Sequence, residues 1–583
     1  MTYTRRIALF AALWLALISA GSAFADTSKI SPDLQPLLSN PNNSIPVIVQ
    51  YTSTTQGSGG GGLLGGLLGG VLGLVGSVSG LLGGVVTALV NIVFSLIPAL
   101  TAILHPADII NLSNQSNVTY ISLDRPVAAS LDYTAGAVNA PAAWSYGLDG
   151  SGIGIAIIDS GVYAHADLNG STGQSRVVYR QSFIGGSQFD DYGHGTHVAG
   201  IVGGNGSSSS KPGAYHTYKG IAPNANIIDL RVLNANGGST DSAVIAAIEK
   251  AVQLKSKYNI RVINLSLGRP IHEGCSRDPL CRAVEAAWAN GIVVVSAAGN
   301  LGRNGYATVL SPGNAPHAIT VGAMKTENTV ARGDDLIASY SSKGPTYIDL
   351  TAKPDVVAPG NLVVSLLAPG SALQNAFPGN VVTPSQYTTS TAPGAPSYLC
   401  LSGTSMATPV VSGAVALMLQ KDPTLNPDTV KARLMKTASK NFPLTSTAYD
   451  PSTGQSYTSK YDLFTVGAGY IDIAAVLADY DRAYGSAQSP SLLYNSTLAT
   501  ALLTPVYGSI WTSGGTWGTA AVWGTSVLQP SPYGTVAVWG SNAAWGTNAA
   551  WGTNAAWGTN AAWGTNAAWG TNAAWGTSGT GEK

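Results

Sequence analysis

The sequence predicts an α/β protein built on a parallel sheet with helices on both faces. Short runs rich in Ile and Val recur from Gly150 onward, as "GIGIAIID", "ANIIDLRVL", "IRVINLSLG" and "GIVVVSAAGN". Helical patterns, "STDSAVIAAIEKAVQLKS" and "LCRAVEAAWANG", lie between them. The runs are nearly continuous rather than alternating, as expected of strands buried on both faces of a parallel sheet. Each run ends in a polar or glycine-rich stretch. Ligands of such sheets sit at the carboxyl ends of the strands, so chemistry is expected there.

The chain divides in order as follows. Residues 1–25 have the layout of a secretory signal peptide: Arg5 and Arg6, the apolar run Ile7 to Ala20, and the small-x-small site Ala23-Phe24-Ala25. The run is short for a membrane span, which needs ~20 residues. The protein is therefore expected to be secreted or held at the cell surface. Residues 26–132 form a small α+β region, with strand-like "PVIVQY" and "NVTYISLDRPV". A Gly/Leu-rich insertion without charge, 57–104, interrupts it. By length, Leu81 to Leu104 is able to span a membrane. Its glycines and the absence of flanking Lys or Arg argue against that. Residues 133–480 carry the parallel sheet. Residues 481–510 read as a linker, and 511–583 as a tail built on "WGTNAA" repeats, with Trp545, Trp551, Trp557, Trp563, Trp569 and Trp575 six apart.

Composition narrows the class. Lys+Arg and Asp+Glu are both 29, and no basic stripe is visible, which excludes a nucleic-acid partner. Only 10% of residues are charged, so the polar surface must come from Ser, Thr, Asn and backbone, in keeping with an extracellular protein. Cys275 and Cys281 flank "SRDPL" and suit a small local disulfide in an oxidising compartment, leaving Cys400 over.

Three segments carry the elements of nucleophilic hydrolysis. A serine hydroxyl needs an adjacent base, the base needs an acid that fixes its tautomer, and the oxyanion needs donors. "IIDSG" puts Asp159 at the end of a buried strand, "GHGTHVAG" puts His194 at the start of a helix, and "GTSMATP" puts Ser405 at a helix N-terminus. Pro409 is expected in the first turn of that last helix, where proline is tolerated. The residues alone leave alternatives open. His197 is as good a base by chemistry, and Asp190 or Asp191 are rival orienting acids, although loop acids before a helix are usually solvated. Taken singly, Asp159 and Asn300 read as turn residues and Ser405 as an N-cap.

Together, in the order Asp, His, Ser, these segments resemble the subtilisin-like serine proteases, or subtilases, over about residues 140–480. The resemblance implies a three-layer subtilisin-like fold and secreted endopeptidase activity through an acyl-enzyme. It implies Asp159 as orienting acid, His194 as general base and acid, and Ser405 as nucleophile. Asn300, in "VSAAGN", is then an oxyanion donor beside the Ser405 N–H. Gly237-Gly238-Ser239, Ser266-Leu267-Gly268 and Ala297-Ala298-Gly299 match the substrate groove, whose edges take a peptide as an added strand. Protein and peptide substrates follow, with no cofactor for catalysis. Residues 26–132 stand in the place of the family's propeptide, a chaperone and inhibitor removed by self-cleavage, here expected between Arg125 and Asn139. "KPDVVAPG" is given a packing role, and 361–400 a place at the rim of the site. Asp167 matches a position that ligates a structural calcium in many subtilases, but "GGNGSSSSKPGAYHTY" does not resemble the usual second ligand loop. Asp241 is expected to face basic or polar groups at a remote subsite.

Two other functions compete. One is a surface-binding or structural protein on a subtilase scaffold, in which the tryptophan repeats do the work. The other is an esterase, but "GTSMA" is not the G-x-S-x-G elbow. "GHGTH" argues against relatives that use a carboxylate as base. In the tail an even period of six puts every Trp on one face of an extended strand, whereas in a helix they would wind around it. The readings are a β-type ladder that binds the cell surface or a polysaccharide, and a low-complexity tail. On the binding reading, deleting 511–583 is expected to leave peptide hydrolysis unchanged but reduce retention on cells or insoluble glycans.

Overall fold

The computed structural model describes residues 26–52, 89–123 and 126–537, apart from 32–33, 95–98, 130–133, 187, 215, 328, 389–393, 451–453, 496–499, 505, 513–514, 524–527 and 532–533. The signal segment 1–25, the Gly/Leu-rich residues 57–88 and the repeats beyond 537 lie outside the described residues. The chain forms two compact units, up to Asp124 and from Arg125 onward.

The first unit is an antiparallel sheet with a helix. Strand β1 (Ile45–Tyr51) pairs with β3 (Ala99–Leu104) on one side and β4 (Val118–Leu123) on the other, and β2 (Leu89–Phe94) lies outside β3. Val47 and Val49 of β1 cluster with Leu100, Ala102, Ile121 and, from the helix Pro106–Ser113, Ile109 and Leu112. The end of the apolar stretch 57–104 is thus part of this sheet rather than an insertion into it. Pro98 and Pro106 bracket "ALTAIL" too closely for a long helix, since proline breaks a helix interior. Among the described residues no helix is long and apolar enough to cross a membrane.

The second unit is built on the parallel sheet. Its central order is β12 (Val293–Ala297), β10 (Ile260–Leu265), β6 (Gly154–Asp159), β8 (Asn226–Arg231) and β7 (Val177–Ser182), all parallel. Strand β13 (Ile319–Lys325) continues beyond β12 and pairs with β14 (Leu336–Ile337) and β15 (Val356–Pro359). Every residue of β6, β12 and β13 is buried, which is why these strands read as unbroken apolar runs. The helix Asp241–Tyr258 starts on Thr240, whose hydroxyl accepts from the Ala243 N–H, and stops at Asn259 in the left-handed conformation. The helix Pro279–Ala289 starts on Asp278, which accepts from the Leu280 and Cys281 N–H groups. These two helices pack together. The helices His194–Gly203 and Thr404–Lys421 form a second packed pair, and the latter lies along β10, β12 and β13. From Thr404 to Leu419 that helix has no exposed side chain, so it is core on all sides.

The C-terminal boundary differs from the expected linker and tail. Ala483, Ala487, Leu492, Ile510, Trp511, Trp517, Val522 and Trp523 are buried. Trp511 Nε1 donates to the Gln488 carbonyl at 2.6 Å, and the rings of Trp511 and Trp523 meet edge to face at 5.1 Å. Lys436 Nζ lies 5.3 Å from the Trp517 ring centre, and the short helix Thr519–Trp523 packs on the helix Pro427–Thr437. Buried Asp355 accepts from Ser489 Oγ at 2.6 Å and pairs with Lys353 and Lys431. The polar, Pro- and Gly-containing sequence conceals this because burial rests on a few widely spaced Ala, Leu and Trp side chains. Trp511, Trp517 and Trp523, also six apart, occupy 3-10 and helical turns, not a strand ladder; the WGTNAA repeats themselves lie outside the described residues.

Candidate active site

Asp159 closes β6, and its Oδ1 accepts from the Ser160 N–H at 2.7 Å and from His194 Nδ1 at 2.6 Å. Asp159 and His194 are both fully buried as side chains. The helix that carries His194 begins on Gly193, at φ 98°, where a Cβ would lie 2.4 Å from Ser371 Oγ. A Cβ on Gly195 would lie 2.2 Å from the Gly161 carbonyl. The two glycines of "GHG" therefore let the helix start close against the end of β6.

Asp190 is not the solvated loop acid expected. It is buried and accepts from Ser160 Oγ, the Gly193 N–H, the Thr196 N–H and Thr196 Oγ1, at distances between 2.6 and 2.8 Å. Burial raises its pKa, and these donors act against the rise. Asp190 thereby ties the residue after Asp159 to both sides of His194. Asp191 pairs with Arg231 at 2.8 Å. His197 presents Nε2 to the carbonyls of Val363 and Leu399 at 3.2 and 3.0 Å. Burial, then His194 beside it, pushes its pKa down to about 3, so it is a neutral structural donor near pH 7.

Ser405 is the second residue of its helix, and its Oγ donates to the Ser266 carbonyl at 2.9 Å. Ser266 follows β10, the neighbour of β6, so the strand ends that hold His194 and Ser405 are adjacent. Pro409 lies one turn further into the helix than expected. Lacking an N–H, it leaves the Ser405 carbonyl without its helical donor. That carbonyl accepts instead from Ser266 Oγ at 2.7 Å, and Asn264 Nδ2 donates to the same hydroxyl at 2.9 Å.

Asn300 follows β12, the other neighbour of β10. Its Oδ1 accepts from the Thr404 N–H at 2.9 Å and from Thr404 Oγ1 at 3.1 Å. This fixes the amide so that Nδ2 is the end turned away from Thr404. Thr404 Oγ1 also accepts from the Gly299 N–H at 3.1 Å. Sequence reasoning missed Thr404 as a positioning residue, although it stands inside "GTSMATP" next to the nucleophile candidate.

The groove candidates separate into two groups. Strand β5 (Pro126–Ala129) lies antiparallel between β9 (Ser239–Thr240) and β11 (Leu267–Gly268), with Val127 opposite Ser239 and Ala128 opposite Gly268. Ser239, Leu267 and Gly268 therefore flank an added peptide strand, with Gly237 and Gly238 leading into β9 and Ser266 into β11. Ala297, Ala298 and Gly299 are not in this small sheet. The Ala298 N–H donates to Val321, and its carbonyl accepts from the Leu310 N–H.

Asp241 does not face a subsite. It is fully buried and bonded to Arg269, so it has no charge to offer a substrate. Asp167 is also buried. It accepts from Ser207 Oγ, the Ser208 N–H and Tyr398 Oη at 3.0, 2.8 and 2.6 Å. Among the described residues no cluster of three or more His, Cys, Asp or Glu is placed to hold a metal ion. Cys275 and Cys281 form a disulfide, and Cys400 lies on the strand Tyr398–Leu401.

Residues 150–469 match the profile described as the subtilase family. The chain is similar to the serine protease AprX of Bacillus subtilis (strain 168), with 40% identity over 333 residues, 55% of this chain and 70% of the relative. It is 33% identical to an alkaline protease of Alkalihalobacillus alcalophilus over 348 residues, 59% of this chain and 75% of the relative. Subtilisin E of Bacillus subtilis (strain 168) is 33% identical over 350 residues, 59% and 76% of the two chains.

Proposed function

Because the chain belongs to the subtilase family, we propose that it is a secreted serine endopeptidase made as a self-processed precursor. The observation that carries this reading is the 2.6 Å bond from His194 to Asp159, with Ser405 anchored on the adjacent strand end. Ser405 Oγ attacks the substrate carbonyl while His194 takes its proton. Asp159 holds the ring and stabilises the cation that forms. Asn300 Nδ2 and the Ser405 N–H receive the oxyanion. His194 then returns the proton to the leaving amine, and water releases the acyl group by the same route. Labelling with a serine-directed fluorophosphonate tests the assignment. The label is expected on Ser405, and an unlabelled, folded protein would overturn it.

Asn300→Ala is expected to lower kcat by about 10²–10³-fold with little change in KM, a magnitude borrowed from the corresponding donor of subtilisin. A rise in KM alone would make Asn300 a binding residue instead.

Strand β5 supports an extended polypeptide as substrate, because main-chain pairing on both sides is how an edge takes a peptide. It also supports maturation by self-cleavage. The first unit ends at Asp124, β5 occupies the groove from Pro126 to Ala129, and the bond to be cut follows it. N-terminal sequencing of secreted enzyme is expected to find a start within residues 130–133 or directly after them. Active protein that still begins near residue 26 would exclude a removable propeptide. The layout of residues 1–25 supports export.

A further inference from the structure

Each wall of the groove is followed directly by one member of a buried ion pair. Asp241 comes after β9, and Arg269 comes after β11. Arg269 Nε stands 2.8 Å from Asp241 Oδ1, and its Nη2 stands 2.9 Å from Asp241 Oδ2. The same Nη2 reaches Asp278 Oδ1 at 2.8 Å, and Nη1 donates to the Pro270 carbonyl. Side-chain exposure is 2% for Arg269 and 0% for both aspartates. Ser311 exchanges both backbone hydrogen bonds with Arg269, and its hydroxyl donates to Asp278 Oδ2. Asp278 and Thr240 cap the two helices that leave this point.

Strands β9 and β11 each pair with β5 and not with one another. A slot for one strand needs walls about 9.6 Å apart, twice the spacing of neighbouring strands. Main-chain bonding between the walls does not set that width when the slot is empty. The guanidinium ties the residues that follow the two walls. A buried ion pair is a poor device for stability alone, because desolvation offsets its attraction. A planar fork held by two carboxylates is, however, a rigid spacer.

We propose that the Arg269–Asp241 pair gauges the groove, making Arg269 a positioning residue for substrates long enough to reach β9. This rests on the endopeptidase reading. A residue opposite Ser239 lies two positions upstream of the one opposite Leu267. A substrate that fills only the β11 side does not need the second wall in place.

The test compares Arg269→Lys, which keeps the charge and loses the fork, with Arg269→Gln/Asp241→Asn, which leaves Asp241 neutral. The second variant keeps the test open if the first does not fold. Each is assayed on an eight-residue peptide amide, on a single-residue ester and by the rate of fluorophosphonate labelling. For the long peptide, KM is expected to rise about tenfold with kcat nearly unchanged. The ester and labelling rates are expected to stay within about twofold, the range in which the reaction centre itself is undisturbed. Equal losses on both substrates, or an unchanged KM for the long peptide in the folded variant, would overturn the gauge. If the wild-type protein is neither labelled nor hydrolytic, the endopeptidase reading fails instead.

Discussion

Ser405→Ala is expected to lower peptide hydrolysis by about 10⁴–10⁶-fold, on the scale found when the same residue type is removed from the subtilisin triad. The structure of the variant is expected to survive. The lost hydroxyl donates to the Ser266 carbonyl. Removing one such bond costs on the order of 1–2 kcal/mol. The reciprocal bond, from Ser266 Oγ to the Ser405 carbonyl, belongs to the backbone and remains. Casein hydrolysis and thermal melting, measured on the same preparation, separate the two effects. Residual hydrolysis near the wild-type rate would remove Ser405 from the mechanism. A collapse in melting temperature would make the loss of activity uninformative about the nucleophile, and the labelling experiment would then decide.

A chain ending after residue 480 is expected not to hold its fold, whereas one ending after residue 537 is expected to keep full activity on soluble peptides. The shorter chain loses three buried tryptophans, Trp511, Trp517 and Trp523, and the Ser489 hydroxyl that satisfies Asp355. Truncating one buried tryptophan costs about 3–5 kcal/mol. Whole domains are stable by only about 5–15 kcal/mol. The cut expected from sequence to be harmless, at 511, therefore falls inside the enzyme. Expression level, melting temperature and peptide hydrolysis of the two truncations measure this. A 480-residue chain that melts with the full-length protein would show the C-terminal packing to be dispensable. Comparing the 537-residue chain with the full chain on cells and insoluble glycans then isolates what the WGTNAA repeats contribute.

The candidate site was legible where one residue type stands at a strand end or helix start. Asp159 closes and Asn300 follows a fully buried strand, while His194 and Ser405 stand in the first turn of buried helices. What stayed hidden depends on partners far away in the chain. Asp190 looks like a loop acid until Ser160, Gly193 and Thr196 converge on it. Asp241 looks like a rim carboxylate until Arg269 arrives from 28 residues downstream. Thr404 is inconspicuous because its role is exercised through Asn300. "ALTAIL" misled through length, because an uncharged stretch was measured without its bracketing prolines. The C-terminal segment misled through composition, because three tryptophans among glycines and threonines do not look like core.

The helix that begins at Thr404 has no exposed side chain through Leu419. The serine is thus mounted on the centre of the domain rather than on a surface loop. Loops open locally at little cost, but a central helix is freed only when the whole domain opens. Heating should therefore leave turnover competent until the transition and then extinguish it together with the helical signal. The durability of the enzyme becomes a matter of how fast the entire domain lets go, and additives or mutations that slow that release will lengthen its working life in equal measure.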